Sequence, residues 1–196
     1  MLRATRTSAA LLGPLIAMVM GEAMAKVVLS EQARQAIRAD MLRRPHIEAC
    51  GLLLGEITPA GDWLAEAALP LRNINNSAVR FEFDSLELLE CDLTYGERII
   101  GVYHSHPGGP PVPSRTDTGN MERLQDSPWV WLIASFYRQR GAAPGVTDDG
   151  LSIAAYRHDP QSGLQTIPIF ITPARPQNHH DAGAAAPSDH DPPKDP

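Results

Sequence analysis

Residues 99–117 read IIGVYHSHPGGPPVPSRTD, and this stretch decides how the chain is organised. Ile99, Ile100, Val102 and Tyr103 are strand formers, and a central strand is predicted over residues 99–104. Pro107 stops it, because proline has no N–H to give to a ladder, and the Gly- and Pro-rich loop 108–113 turns the chain back. Ser114 then opens a helix predicted over 114–125. His104 and His106 are two apart in extended chain, so their rings project to one face. Ser114 and Asp117 are three apart at a helix start, so they share one face of its first turn. Two imidazoles and a carboxylate converging there make a three-ligand site with a fourth position for water, the pattern of a catalytic zinc site rather than a structural one. The ligand types favour Zn²⁺, although Fe²⁺ or Ni²⁺ would suit the same set. A His-x-His pair alone is weak evidence; joined to the strand-breaking Pro107 and a downstream Ser-x-x-Asp, it becomes a specific constellation.

Outward from this stretch the chain alternates strands and helices. A short strand is expected over 27–29, followed by a helix that Ser30 caps and that runs to about Arg44. Ala33, Ile37 and Met41 give that helix an apolar stripe, and Pro45 lies just beyond it. Residues 49–57 contain the run Leu52-Leu53-Leu54, as a strand buried on both faces would. Further strands are expected over 63–71 and 79–83, separated by the turn-rich Asn73-Ile74-Asn75-Asn76. Asp84 or Ser85 caps another helix, with Leu86, Leu89 and Leu93 on one face, ending near Gly96. Strands at 129–136, 151–156 and 166–171 complete the set. The fold class is α/β: one domain with a mixed sheet and helices packed around it.

The two ends differ from this middle. In residues 1–25, Arg3 and Arg6 precede an apolar run over 9–20, and Ala23-Met24-Ala25 has the small-x-small form of a signal-peptidase site. The run is too short to span a bilayer, so no stable membrane insertion is expected. Three readings stand: a secretory signal peptide, an extension upstream of a start at Met24, or an ordered extra helix. Residues 173–196 are rich in Pro, Ala, Asp and His without apolar periodicity and read as a disordered tail; His179, His180 and His190 fall there. Residues 26–172 are the expected catalytic domain.

Composition narrows the function classes. The 196 residues carry a formal net charge of −6, with 43% hydrophobic and 20% charged residues, as in an ordinary globular protein. An acidic chain lacks the basic face a nucleic-acid binder needs. Lys26 and Lys194 are the only lysines, so there is no polybasic stretch for anionic lipid. Cys50 and Cys91 are too few for a disulfide scaffold or a Cys-rich zinc module.

The segment HSHPGGPPVPSRTD resembles the metalloprotease motif of the JAMM (MPN+, JAB) family, whose spacing His-x-His-Pro-x6-Ser-x-x-Asp it meets in full. That family also places a glutamate upstream, in a Glu-x-x-Gly setting on a hydrophobic strand, and Glu48-Ala49-Cys50-Gly51 is similar to that feature. The resemblance covers about 26–172 and is closer to compact prokaryotic members. It implies a single MPN-type domain, a mixed curved β-sheet with flanking helices of the cytidine-deaminase-like kind. It further implies that His104, His106 and Asp117 hold one Zn²⁺ per chain and that Glu48 is the general base. Ser114 would hydrogen-bond the oxyanion or steady the water. The activity implied is that of a zinc metallopeptidase cutting a peptide or isopeptide bond at the C-terminal Gly-Gly of a ubiquitin-like or sulfur-carrier protein, whose tail would add beside a sheet edge. A hydrolase of small amide conjugates could use the same site, and non-catalytic MPN scaffolds share the fold but usually lack a ligand. A cytoplasmic enzyme goes with the Met24 start, an exported one with the signal peptide. His46 reads as a surface residue, Cys50 as a small buried residue near the site without a base to activate it, His158 as a strand end, and Trp129 and Trp131 as strand packing.

Overall fold

The computed structural model describes residues 24–137 and 149–173. The leader-like run of 1–23 and the tail histidines lie outside the described residues. Strand β1 (Val27–Ser30) leads into helix α1 (Glu31–Arg43). The Ser30 side chain accepts the Ala33 N–H at 3.0 Å, satisfying one of the orphan donors of the first turn. Ala33, Ile37 and Met41 are buried, as their spacing requires. Next come β2 (Cys50–Ile57), β3 (Trp63–Leu71), α2 (Ser85–Tyr95), a short 3₁₀ turn, and β4 (Ile99–Ser105). Helix α3 (Arg115–Arg123), β5 (Val130–Ser135), β6 (Ser152–Asp159), β7 (Gly163–Ile167) and β8 (Ile169–Thr172) follow.

All eight strands form one mixed sheet in the order β7-β6-β5-β4-β2-β3-β1-β8. The expected single strand over 166–171 is in fact two. Pro168 divides it, β7 pairing with β6 and β8 with β1, at opposite edges of the sheet. Residues two apart in sequence lie at most about 7 Å apart, so the sheet must curl until its edges nearly meet. The mixed, curved α/β sheet expected from the sequence is thus nearly closed.

Two apolar layers cover its faces. One joins α1 (Ala33, Ile37, Met41) to Leu53, Tyr103, Val130 and Leu132; the other joins Leu52, Val102, Trp131 and Ile133 to Cys91 of α2 and Met121 of α3. Leu52-Leu53-Leu54 serves both layers, the doubly buried strand that a continuous apolar run implies. A register shift opposite Leu53/Leu54 bulges β4 near Ile100, so Ile99 and Val102 share a face. From Val102 onward the alternation is regular.

Two local expectations are corrected. Residues 79–83 form no strand; only Phe83 bridges to Asn73, and Val79 is exposed. The carbonyl of Arg80 and the N–H of Glu82 are bound by the Asn73 side chain, which replaces a strand partner. Helix α2 forms with Asp84 as its N-cap, but Leu86, Leu89 and Leu93 face solvent, Leu93 being 79% exposed. Cys91, Leu88 and Tyr95 pack inward instead. Among the described residues no helix is long and apolar enough to cross a membrane.

Candidate metal centre

The site is built where β4 ends and α3 begins. Cys50 is opposite His104 in the antiparallel β2–β4 ladder, and Ile133 of β5 lies on the other side. His104 is therefore on an interior strand, 0% exposed. The sheet edges, β7 and β8, carry none of the candidate residues.

The three candidate ligands converge. The Nε2 atoms of His104 and His106 are 3.2 Å apart, His104 Nε2 is 3.2 Å from Asp117 Oδ1, and His106 Nε2 is 3.4 Å from Asp117 Oδ2. Tetrahedral ligands about 2.0–2.1 Å from a zinc ion lie about 3.3 Å from one another, so this donor triangle fits such an ion without rearrangement. His106 Nδ1 is 2.9 Å from the Pro110 carbonyl, which places the proton on Nδ1 and turns the Nε2 lone pair inward. His104 Nδ1 is buried without a partner among the described residues, and the Phe81 ring stacks on His104 at 4.7 Å.

Asp117 reaches the triangle because α3 is pinned at both ends of its first turns. Ser114 Oγ accepts the Asp117 N–H at 3.2 Å and the Ser114 N–H donates to Asp117 Oδ2 at 2.7 Å, a reciprocal capping box. One turn on, Met121 inserts into the apolar layer. Ser114 is exposed; its hydroxyl oxygen serves the cap, which leaves the hydroxyl hydrogen to donate elsewhere.

Electrostatics agree with the packing. Burial lowers the pKa of His104, keeping it neutral and ligand-competent. For His106 burial works the same way, but Asp117 and the Pro110 carbonyl outweigh it and raise the value. Burial opposes the charge on Asp117, yet both imidazoles hold its carboxyl far below the usual range. Glu48 stands outside the triangle, 4% exposed. Burial pushes its carboxyl up to about 7, with the fields of His106 and Asp117 acting in opposite senses. A carboxyl poised near neutrality beside a candidate cation site can accept and release a proton.

Other residues fall as the sequence suggested: His46 is exposed, His158 lies near the end of β6, and Trp131 packs in β5. Cys50 is a buried thiol that burial pushes up to about 12, so it is no nucleophile at neutral pH. Two contributors were missed. Phe81 caps His104 from a loop 23 residues upstream, with no local signal for the contact. Ser105 has a signal in its alternation: lying between the two histidines, it points to the opposite side, where its Oγ accepts the Ala49 N–H at 2.9 Å. Between α2 and α3, an apolar hollow of about 290 Å³ borders the site, lined by Phe81, Phe83, Leu88, Val102, Trp129 and Trp131 among others.

Comparison with known proteins agrees with this architecture. Residues 30–144 match the family described as prokaryotic homologs of the JAB domain. A desampylase of Haloferax volcanii is 33% identical over 118 residues, 56% of this chain and 81% of that protein. A desampylase of Pyrococcus furiosus is 34% identical over 93 residues, 45% of this chain and 60% of that one. A solution structure of a Desulfitobacterium hafniense protein shares the fold, with a TM-score of 0.60 at 24% identity, over 79% of this chain and 98% of that one. The His-x-His strand end and the capped Asp117 thus sit within a matched span of more than half the chain, and the protein belongs to the prokaryotic JAB-domain family, of the JAMM type.

Proposed function

We propose that this protein is a zinc-dependent hydrolase that cuts the peptide or isopeptide bond following the C-terminal Gly-Gly of a ubiquitin-like or sulfur-carrier protein. The observation that carries this reading is the donor triangle of His104, His106 and Asp117 with buried Glu48 beside it. The relatives support the substrate class, since desampylases act on ubiquitin-like protein conjugates. His104, His106 and Asp117 would hold the ion, and zinc bound there would supply Lewis acidity and lower the pKa of bound water towards neutrality. Glu48 takes the proton of the attacking water and returns it to the leaving amine, work for which a pKa of about 7 is suited. The Ser114 hydroxyl donates to the oxyanion that develops on the scissile carbonyl. His106 is held by Pro110, and His104 by burial beneath Phe81, so neither ring must reorganise during the reaction. Residues 26–172 form the catalytic domain in this reading, and the enzyme works in the cytoplasm.

The test is a linear ubiquitin-fold fusion with a short extension after Gly-Gly, incubated with the zinc-loaded protein and followed by mass spectrometry. Cleavage after the second glycine, abolished by chelator and restored by Zn²⁺, is expected. Asp117→Ala should lose both zinc by elemental analysis and cleavage. Cleavage that persists in a zinc-free Asp117→Ala protein would refute the assignment. Turnover of a small amide conjugate with no cleavage of any fusion would favour a small-amide hydrolase instead.

A further inference from the structure

Asn73 reads in the sequence only as part of a turn, yet it is 1% exposed and all four hydrogen-bonding positions of its amide are used. Nδ2 donates to the carbonyls of Glu48 at 3.1 Å and Arg80 at 3.0 Å. Oδ1 accepts the N–H groups of Asn75 at 3.1 Å and Glu82 at 3.3 Å. The opposite amide orientation would set NH₂ against two N–H donors and oxygen against two carbonyls, so these partners determine it.

Three of the four partners concern the reaction centre, Glu48 itself and the two residues that flank Phe81. The Glu48 main chain is held at its carbonyl by Asn73 and at its N–H by the Ser77 carbonyl, 2.8 Å away. The next residue, Ala49, is tied to the histidine strand through Ser105, by Ala49 N–H to Oγ at 2.9 Å and Ser105 N–H to the Ala49 carbonyl at 2.8 Å. No hydrogen bond within the described residues reaches the Glu48 carboxyl itself, so its aim is set by this backbone clamp and by packing. Arg80 and Glu82, the other long-range partners, flank Phe81, whose ring lies on His104. One side-chain amide therefore holds both the residue that would move the proton and the peptide units that carry the ring over a candidate ligand.

We propose that Asn73 is a positioning residue of the reaction centre, its amide joining the Glu48 backbone to the peptide units around Phe81 so that carboxyl and ring are set together. This rests on Glu48 being the general base. A residue that merely staples the 73–76 turn would need only its Oδ1 bond to Asn75. The donor bonds to Glu48, 25 residues away, and to Arg80 do the joining.

The experiment uses full-length, zinc-loaded protein with Asn73→Ala and Asn73→Asp, the latter keeping the acceptor oxygen while placing a second oxygen against the two carbonyls. Ile37→Ala, in α1 and outside the site, serves as a control for general destabilisation. Both Asn73 variants should lower kcat by about tenfold or more with KM within about threefold. Zinc content should be unchanged, and the control should keep kcat. In a Glu48→Gln background Asn73→Ala should cost little further, because the residue acts through Glu48. Amide exchange measured by NMR should rise together at Glu48 and Glu82 in Asn73→Ala, while strand amides of β5 stay protected. If Asn73→Ala is too unstable to assay, Asn73→Asp carries the kinetic comparison, and faster exchange at Glu48 is read in it while the Glu82 N–H keeps its acceptor. Unchanged kcat, a full additive loss on Glu48→Gln, or faster exchange at Glu82 with Glu48 unaffected would overturn the proposal. A wild-type protein that cleaves no fusion would refute the functional reading alone, since the exchange coupling is still read on the same fold.

Discussion

Replacing Glu48 by Gln should make the chelator-treated protein more stable while removing its activity, and both halves can be worked from the structure. Glu48 is 4% exposed, and burial raises its carboxyl from 4.5 to about 7. The folded state therefore binds this proton more tightly than the unfolded chain does. Stability contributed by the protonated carboxyl is fully present below the unfolded pKa of 4.5 and is lost as pH rises through about 7. At about 1.4 kcal/mol per pKa unit, ionising Glu48 in place costs the folded state about 3 kcal/mol at pH 8. Gln keeps the shape and cannot ionise. In urea denaturation, Glu48→Gln and wild type should differ little at pH 5, and the variant should gain with pH until it leads by about 3 kcal/mol at pH 8. Returning Zn²⁺ should narrow the gap, because a cation beside the carboxylate offsets its desolvation. In the zinc-loaded protein the same change should lower turnover by about 10²–10⁴-fold with zinc content intact. A stability difference that does not vary between pH 5 and pH 8 would refute the reasoning, since it would mean that Glu48 is not buried as a titrating group.

Three further substitutions probe the frame around the site. Asp40, 1% exposed, takes the Tyr103 hydroxyl at 2.8 Å and the Arg44 guanidinium. Asp40→Ala strands both and should cost about 3–5 kcal/mol by urea denaturation, and a loss below about 1 kcal/mol would contradict the burial of this pair. Leu93→Lys, on the solvent face of α2, should change stability by no more than about 0.5 kcal/mol, whereas Met121→Ala should cost about 2–5 kcal/mol. A loss above about 1.5 kcal/mol for Leu93→Lys would mean that the leucine stripe is packed after all.

The contrast between these two helices shows where sequence patterns inform and where they mislead. In α1, the stripe Ala33-Ile37-Met41 is the buried face, and the Ser30 cap, the helix span and the following Pro45 all follow from local chemistry. In α2 an equally regular stripe, Leu86-Leu89-Leu93, faces water, because Leu88 and Cys91 meet the sheet instead. Periodicity says that a helix has faces; which one is buried depends on what it lands on. Pro168 is similar. Its effect on a strand was foreseeable, but only the closure of the sheet sends the two halves to opposite edges.

The sequence by itself determined the candidate ligand set and its local geometry. His104 and His106 share a face because strands alternate, and Ser114 and Asp117 share a turn because helices repeat every three to four residues, so both relations are written in spacings of two and three. The tertiary structure alone decided what surrounds them. Phe81 and Asn73 come from segments 23 and 31 residues before His104, where no periodicity reaches, and Glu48, 56 residues before it, was named only through the family resemblance. They meet the histidines because β2 pairs with β4 in one register, Cys50 against His104, and because the turn after β3 folds its side chains into the same corner. Contacts between distant segments depend on pairing and burial summed over the whole sheet, which is why the candidate ligands were legible in nineteen residues and the packing around them was not.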